Sequence, residues 1–314
     1  MLTHFFEHSM SEELLKQIET GAVKPIQFNM RKPLDPVTGE ERDQTGDAAK
    51  NMKYAATLQL PEVIRLPHLR MGRAVIVGGA PSIKDHLEDI KKLASDPDNA
   101  VFALNFSHNW LIDNGVVPYG CVLFEIDAEP DEFFAAAHPD VTYFICSHCH
   151  QKSFDQLANA RRILWHCTPN SVAETAVSEE LFPGATQIGG GIGTFLRTLS
   201  IALALGFRNI DLFGCDSSFP EDSPSTHVEG YKTSNNVETD AFYVTAKHDR
   251  PGATPRKFKT VGYLALQVEE FKLFCQHNHY HFALRVHGNS LLRFVHEQIY
   301  PEQYTPPRFG SRRI

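Results

Sequence analysis

Two glycine-led turns carry the residues of this 314-residue chain that are best placed for chemistry. In AVIVGGAPS, Ala74 to Ser82, an apolar strand runs into Gly78, Gly79, Pro81 and Ser82 at the start of a helix. Backbone N–H groups and the helix dipole can hold a phosphate at such a turn. It is not GxGxxG and has no P-loop lysine, which sets aside a nicotinamide cofactor and a Walker-type ATP site. In IGGGIGTFLRTLSIALALGF, Ile188 to Phe207, Gly189, Gly190, Gly191 and Gly193 lead into a second helix with Thr194 in its first turn. That helix is apolar on nearly every face and stops at Gly206, so it is expected to be buried with its N-terminal amides facing the ligand crevice. Close packing of backbone against backbone is the alternative use of both glycine sets.

Acids and amides follow other apolar runs. Glu125, Asp127 and Glu129 come after CVLF, Asp216 lies in FGCDSS, and Asn105 ends VFAL. A carboxylate beyond a strand can bind a ribose hydroxyl, hold magnesium beside phosphates or act as a general base, and Asp127 and Asp216 are best placed for this. The alternative is that each caps a turn. Asn105 can donate and accept hydrogen bonds, which suits base or sugar recognition. The polar stretch Ser217 to Phe258 reads as an active-site lid, with a plain surface insertion as the alternative. Its His227 and His248 are the proton-transfer candidates, and Tyr231, Lys232, Arg250, Arg256 and Lys257 add a phenol and positive charge. The sequences CSHCH, Cys146 to His150, and WHC, Trp165 to Cys167, hold zinc-ligand types. With one CxxC and no second pair they read as core and rim residues, and no metal ligand is assigned.

The elements that must position these residues are short apolar runs alternating with helical stretches. The runs are AVIV (Ala74 to Val77), VFAL (Val101 to Leu104), CVLFEI (Cys121 to Ile126), TYFICS (Thr142 to Ser147), RILWHC (Arg162 to Cys167), IDLFG (Ile210 to Gly214) and FALRV (Phe282 to Val286). This predicts an α/β, Rossmann-like fold, a mostly parallel sheet with helices on both faces, and ligands at the carboxyl ends of its strands. Residues 71–298 form the predicted nucleotide-binding transferase domain, with 217–258 as its lid and 299–314 as a tail. Residues 1–70 read as an N-terminal helix, Ser11 to Glu19, and an extended arm in which Lys24 to Ala48 shows no periodicity.

Composition narrows the partners. A net charge of −8 and a pI near 6.0 argue against a broad nucleic-acid footprint. No apolar run reaches membrane-spanning length, and the N-terminus carries acids where a signal peptide would carry a basic region. The expectation is a cytoplasmic protein with no membrane partner, whose six cysteines are mostly buried free thiols. Its partners are a small-molecule nucleotide donor and an acceptor the sequence does not name, with room for a homo-oligomer.

VIVGGAPS, ALNFSHNWLIDNGVVPYGCVLFEID and GGGIGTFLRTLSIALALGFRNIDLFGCDSS together resemble the MptE-like family of archaeal 6-hydroxymethylpterin diphosphokinases, in order and spacing from about Arg73 to Val295. TYFICSHCH, LWHC and the His-bearing loop resemble the branch carried by bacteriophages and prophages, which would place the protein in host cytoplasm. The same blocks are similar to bacterial sialyltransferases that use a CMP-linked sugar. That resemblance implies nucleotide contacts from Gly79, Ser82 and Asn105, with Asn289 and Ser290 of NSLL able to add others. It also departs: where those enzymes have a general-base histidine, this chain has PRKFK, with His248 about a dozen residues earlier, and the tyrosine that follows their strand-end Asp is Phe219 or absent. The diphosphokinase resemblance implies ATP, magnesium and a pterin, with Asp127 matching the family's acid. Three functions are therefore carried forward. Transfer from a nucleotide sugar leads, magnesium-dependent diphosphate transfer from ATP follows, and a non-enzymatic phage binding or assembly role is the third.

Overall fold

The computed structural model describes residues 44–127, 137–169, 171–220, 225–228, 241–247, 254–278 and 282–301. The described residues all belong to the unit Asp43–Ile314. The predicted helix Ser11 to Glu19, the stretch 24–43, Glu129, Tyr231, Lys232, His248, Arg250 and most of the tail 299–314 lie outside the described residues.

Eight strands form one sheet: β1 (Arg73–Val77), β2 (Ala100–Leu104), β3 (Gly120–Leu123), β4 (Thr142–Cys146), β5 (Arg161–Cys167), β6 (Gln187–Ile188), β7 (Asn209–Phe213) and β10 (Ala283–Val286). All seven apolar runs of the sequence are among them. Their order is β10-β7-β1-β2-β3-β4-β5-β6, and every pair is parallel. Strands β2, β3 and β4 are buried along their whole length, as expected where helices cover both faces. The chain builds outward from β1 through β2 to β6 and then returns to place β7 on the other side of β1. The strand order reverses there, so the β1/β7 junction is the switch point at which such sheets bind ligands.

The crossing is made by α6 (Thr194–Ala204), which follows β6 and packs against β1, β2 and β3. It is buried as predicted. Gly206, at φ +91, ends it where any side chain would overlap the His68 carbonyl. The other helices are α1 (Gln44–Thr57), α2 (Leu87–Ala94), α3 (Ser107–Asp113), α4 (Gln151–Gln156), α5 (Val172–Leu181), α7 (Gly262–Asn278) and α8 (Leu291–Ile299).

Two expectations change. The arm assigned to residues 1–70 ends earlier, because residues 44–70 belong to the sheet domain. Ala48, Met52 and Ala55 form the buried stripe of α1, which packs on α4 and α5. Beyond it, Val63 N–H donates to Leu164 O at 2.8 Å and Leu66 N–H to Ala204 O at 2.8 Å. The lid stretch also contains regular structure. An antiparallel hairpin of β8 (Phe242–Ala246) and β9 (Arg256–Thr260) stands there.

Candidate functional site

At the switch point the first glycine turn is welded to the end of β7. Gly78 N–H donates to Phe213 O at 2.8 Å and Ala80 N–H to Gly214 O at 3.0 Å. A side chain on Gly78 would overlap the Gly214 carbonyl and stand 2.8 Å from Cys215 Sγ. Gly78 is therefore a close-packing glycine whose amide is already used by Phe213 O, which weighs against the phosphate-facing role expected of it. Gly79 differs. Its missing side chain opens toward His227, whose Cδ2 is 3.4 Å from where a Cβ would sit.

Asp216 answers why this turn holds a serine. Ser82 Oγ donates to Asp216 Oδ1 at 2.7 Å, and the Ser82 N–H also bonds the carboxylate. The carboxyl thus caps the short 3-10 helix Pro81–His86, the position in which an incoming anion was expected. Burial pushes the Asp216 pKa up to about 6 against the Ser82 hydrogen bonds that lower it. A carboxyl whose folded pKa exceeds its unfolded value adds stability at low pH and loses it as pH rises through the folded value. Asp216→Asn is therefore expected to melt higher than the wild type above pH 6, by up to roughly 2–3 kcal/mol at about 1.4 kcal/mol per pKa unit. The difference should close toward pH 4. A gap that grows on acidification, measured by melting temperature across pH, would contradict this role.

The second glycine turn is also occupied by the chain's own carboxylate. Ile192 N–H donates to Glu270 Oε2 of α7 at 2.9 Å, and a side chain on Gly191, at φ +69, would overlap that carboxylate. Gly190, at φ +131, passes so close to α6 that a Cβ would lie 2.6 Å from Leu196 O. Arg197, 4% exposed, reaches back from α6 to Gly191 O at 2.8 Å and to Ile188 O. Thr194 opens α6 half-buried, and the Leu196 and Arg197 amides bond the carbonyl of the capping Gly193 at 3.1 and 3.2 Å.

Asn105 sits at the end of β2 in the left-handed region, φ +47, and is 9% exposed. Glu125 Oε1 accepts from its Nδ2, while its Oδ1 is buried with no hydrogen-bond partner among the described residues. An unpaired buried acceptor costs about 1–3 kcal/mol, so Asn105 holds an acceptor in reserve. His227 stands over Gly79. Its Nδ1 contacts Thr226 Oγ1 at 2.9 Å, Val228 N–H bonds Gly79 O at 2.9 Å, and burial pushes its pKa down to about 4.

Asn289 and Ser290 precede α8. Arg256 donates to Asn289 Oδ1 at 2.7 Å, whereas Ser290, 2% exposed, caps α8 by accepting from Arg293 N–H at 3.2 Å. Asp127 lies half-buried beyond β3. Strand β3 is three places from β7, about 14 Å at the usual 4.8 Å spacing, and a magnesium ion needs its ligands about 2 Å away. With Asp216 turned onto Ser82, the residues do not fit one ion shared by Asp127 and Asp216. In the Cys/His cluster, Cys167 Sγ lies 3.1 Å from His148 Nδ1 and Cys149 Sγ donates to Leu123 O. Among the described residues no three His, Cys, Asp or Glu side chains are grouped to hold a metal.

Two residues that sequence reasoning missed organise this end of the sheet. Asn51 of α1 donates to Ile126 O at 3.0 Å and His148 O at 2.9 Å, tying the loops after β3 and β4 together. Asp211 of β7, 2% exposed, accepts from Arg73 at 2.7 Å and pairs with His287 Nε2 at 2.9 Å, with the His287 ring stacked 3.9 Å from Phe213.

A parallel sheet with a reversal of strand order, helices on both faces and a polar switch point defines a Rossmann-like α/β protein. The chain belongs to the 6-hydroxymethylpterin diphosphokinase MptE-like family, whose model matches residues 48–222. No curated protein sequence matches it. Among solved structures it is similar to the MAf glycosyltransferase from Magnetospirillum magneticum AMB-1, with a TM-score of 0.57 and 16% identity. The likeness covers 79% of this chain but 38% of that one, and it shows a shared fold. Among the described residues no helix is long and apolar enough to cross a membrane.

Proposed function

We propose that this chain is a transferase that binds a nucleotide-linked donor across the ends of β1, β2 and β7 and passes its glycosyl group to an acceptor. Asn105 carries this reading. Its buried Oδ1 has no partner among the described residues, Glu125 fixes its amide, and it stands one strand from the switch point. An exocyclic amine of a base or a sugar hydroxyl would supply the missing donor. In the transfer, the bond from the anomeric carbon to the nucleotide phosphate breaks as the acceptor oxygen bonds that carbon. The acceptor's proton passes to a histidine. His227 is the candidate, because it stands over Gly79 at the switch point, where burial pushes its pKa down to about 4 and keeps it neutral, though a weak base. His248 is the other. Gly79 and the Thr194 end of α6 are the backbone proposed to meet the departing phosphate.

The family's description favours a second reading, diphosphate transfer from ATP to a pterin-like substrate with magnesium. Its weaker point is the Asp127 and Asp216 geometry described above. A thermal-shift panel of nucleotides and nucleotide sugars, with and without magnesium, separates the two. A ligand at a hundred times its Kd stabilises the fold by about 2.7 kcal/mol, a rise of roughly 5–10 °C for a domain of this size. A magnesium-independent shift by a nucleotide sugar is expected. Asn105→Gly, which keeps the left-handed backbone at ease while deleting the side chain, should remove most of that shift. Release of AMP from ATP with a hydroxymethylpterin would replace the glycosyl reading by the second.

A further inference from the structure

The β8–β9 hairpin carries charge of the opposite sign to the whole protein. Its described residues, 241–247 and 254–260, include Lys247, Arg256, Lys257 and Lys259 and no acid, in a chain of net charge −8. None of these four has a carboxylate partner among the described ion pairs. Two are seated on aromatic rings instead, Lys259 at 4.7 Å from the centre of Phe219 and Arg256 at 4.8 Å from that of Phe258. Such seats hold the cations in place without neutralising them.

Register decides what the hairpin shows to solvent. Tyr243 lies opposite Lys259 and Thr245 opposite Lys257, so these four share one face. Val244 lies opposite Phe258 on the other face, where Phe258 is buried. On the outer face the Tyr243 ring is 69% exposed. The hairpin is fastened to the rim of the switch point: Phe219 N–H donates to Lys259 O at 2.8 Å, Thr260 Oγ1 to Ser217 O at 3.0 Å, and Arg256 to Asn289. An exposed ring flanked by unpaired ammonium groups, fixed beside the crevice, matches a chain of sugar rings bearing carboxylates. The phenol ring covers the apolar face of a sugar while the lysines meet its acid groups.

We propose that the outer face of the β8–β9 hairpin, Tyr243, Thr245, Lys257 and Lys259, is the acceptor-binding surface and that the acceptor is an acidic glycan. The name of acceptor rests on the transferase reading, whereas the surface itself can be tested alone. Titration of the full chain with oligogalacturonate of defined length is expected to show binding that weakens with salt, while neutral maltooligosaccharide binds far more weakly. Lys257→Glu and Tyr243→Ala should each weaken oligogalacturonate binding by about tenfold or more. Both positions are solvent-facing, so the melting temperature and the nucleotide-induced shift should stay as in the wild type. No binding of oligogalacturonate, equal binding of the neutral oligosaccharide, unchanged affinity in Lys257→Glu, or tighter binding of oligodeoxythymidylate would each overturn the proposal. Lys257-dependent glycan binding in a protein that no nucleotide stabilises would uphold the surface and remove the transferase reading.

Discussion

Gly78→Ala is expected to destabilise the domain by on the order of 3 kcal/mol or more, and Gly79→Ala, one residue on, to leave it close to wild type. At Gly78 a methyl group would overlap the Gly214 carbonyl and lie 2.8 Å from Cys215 Sγ. Gly214 cannot retreat, since it has φ +61 and packs against Ile83 and the Gly78 carbonyl. The β1 and β7 ends would have to separate, breaking Gly78 N–H to Phe213 O and Ala80 N–H to Gly214 O, each worth about 1 kcal/mol. For a domain of this size the melting temperature should fall by roughly 10 °C. Gly79 is outside the left-handed region and its added methyl meets only His227 Cδ2, at an ordinary 3.4 Å. Gly79→Ala should therefore keep its melting temperature while reducing the nucleotide-induced shift, because the methyl group enters the space between the turn and His227. Melting curves with and without nucleotide decide between the roles. A stable Gly78→Ala protein that has lost only nucleotide binding would return Gly78 to the phosphate-facing role.

That pair shows where local sequence stops being informative. The seven long strands were legible as apolar runs, continuous and buried on both faces in β2, β3 and β4, and alternating exposed and buried in β10. β6 is two residues long, β8 only alternates half-buried and exposed positions, and β9 buries Phe258 and Thr260 among an arginine and two lysines, so none of the three stands out from a polar loop. α1 did leave a signal in Ala48, Met52 and Ala55, but its small stripe lies next to a polar stretch. For the site, position after a strand picked out Gly79, Asn105 and Asp216 and position in the long loop picked out His227, and the fold brings these residues to one end of the sheet. What each glycine and carboxylate does there depends on which strand lies beside it. Gly78 meets Gly214 only because β7 inserts next to β1, and Glu270 reaches Gly191 from a helix 79 positions later in the chain (270 − 191). The same pattern, strand then glycines then helix, serves a ligand's phosphate or the chain's own carboxylate equally well, and both turns here take the carboxylate.

Asp211 is the clearest product of that long-range order, and Asp211→Ala is expected to cost about 3 kcal/mol near neutral pH. Its side chain is 3% exposed, so removal leaves Arg73 and His287 facing a void that a charge had filled. The cost falls at the low end of the range for breaking a buried pair because Arg73 and His287 keep 30% and 25% of their side chains in contact with solvent. Burial alone would raise the Asp211 pKa, but the His287 and Arg73 hydrogen bonds and the nearby positive charges outweigh it and hold the carboxyl below its ordinary value. A carboxyl with a depressed folded pKa contributes stability above its unfolded pKa and loses it as pH falls through the folded value. The gap in melting temperature between wild type and Asp211→Ala should thus be largest from neutral pH down to the ordinary carboxylate range and close below it. Asp216 must behave in the opposite sense, since its carboxyl is favoured in the neutral form. Two aspartates on and just beyond one strand therefore give the domain opposing acid responses. The paired one faces Arg73 and His287 across the sheet, and the other closes a helix end at the switch point. If Asp211→Ala instead lost most stability only in acid, the Arg73–Asp211–His287 link would not be what holds β10 and β7 against β1.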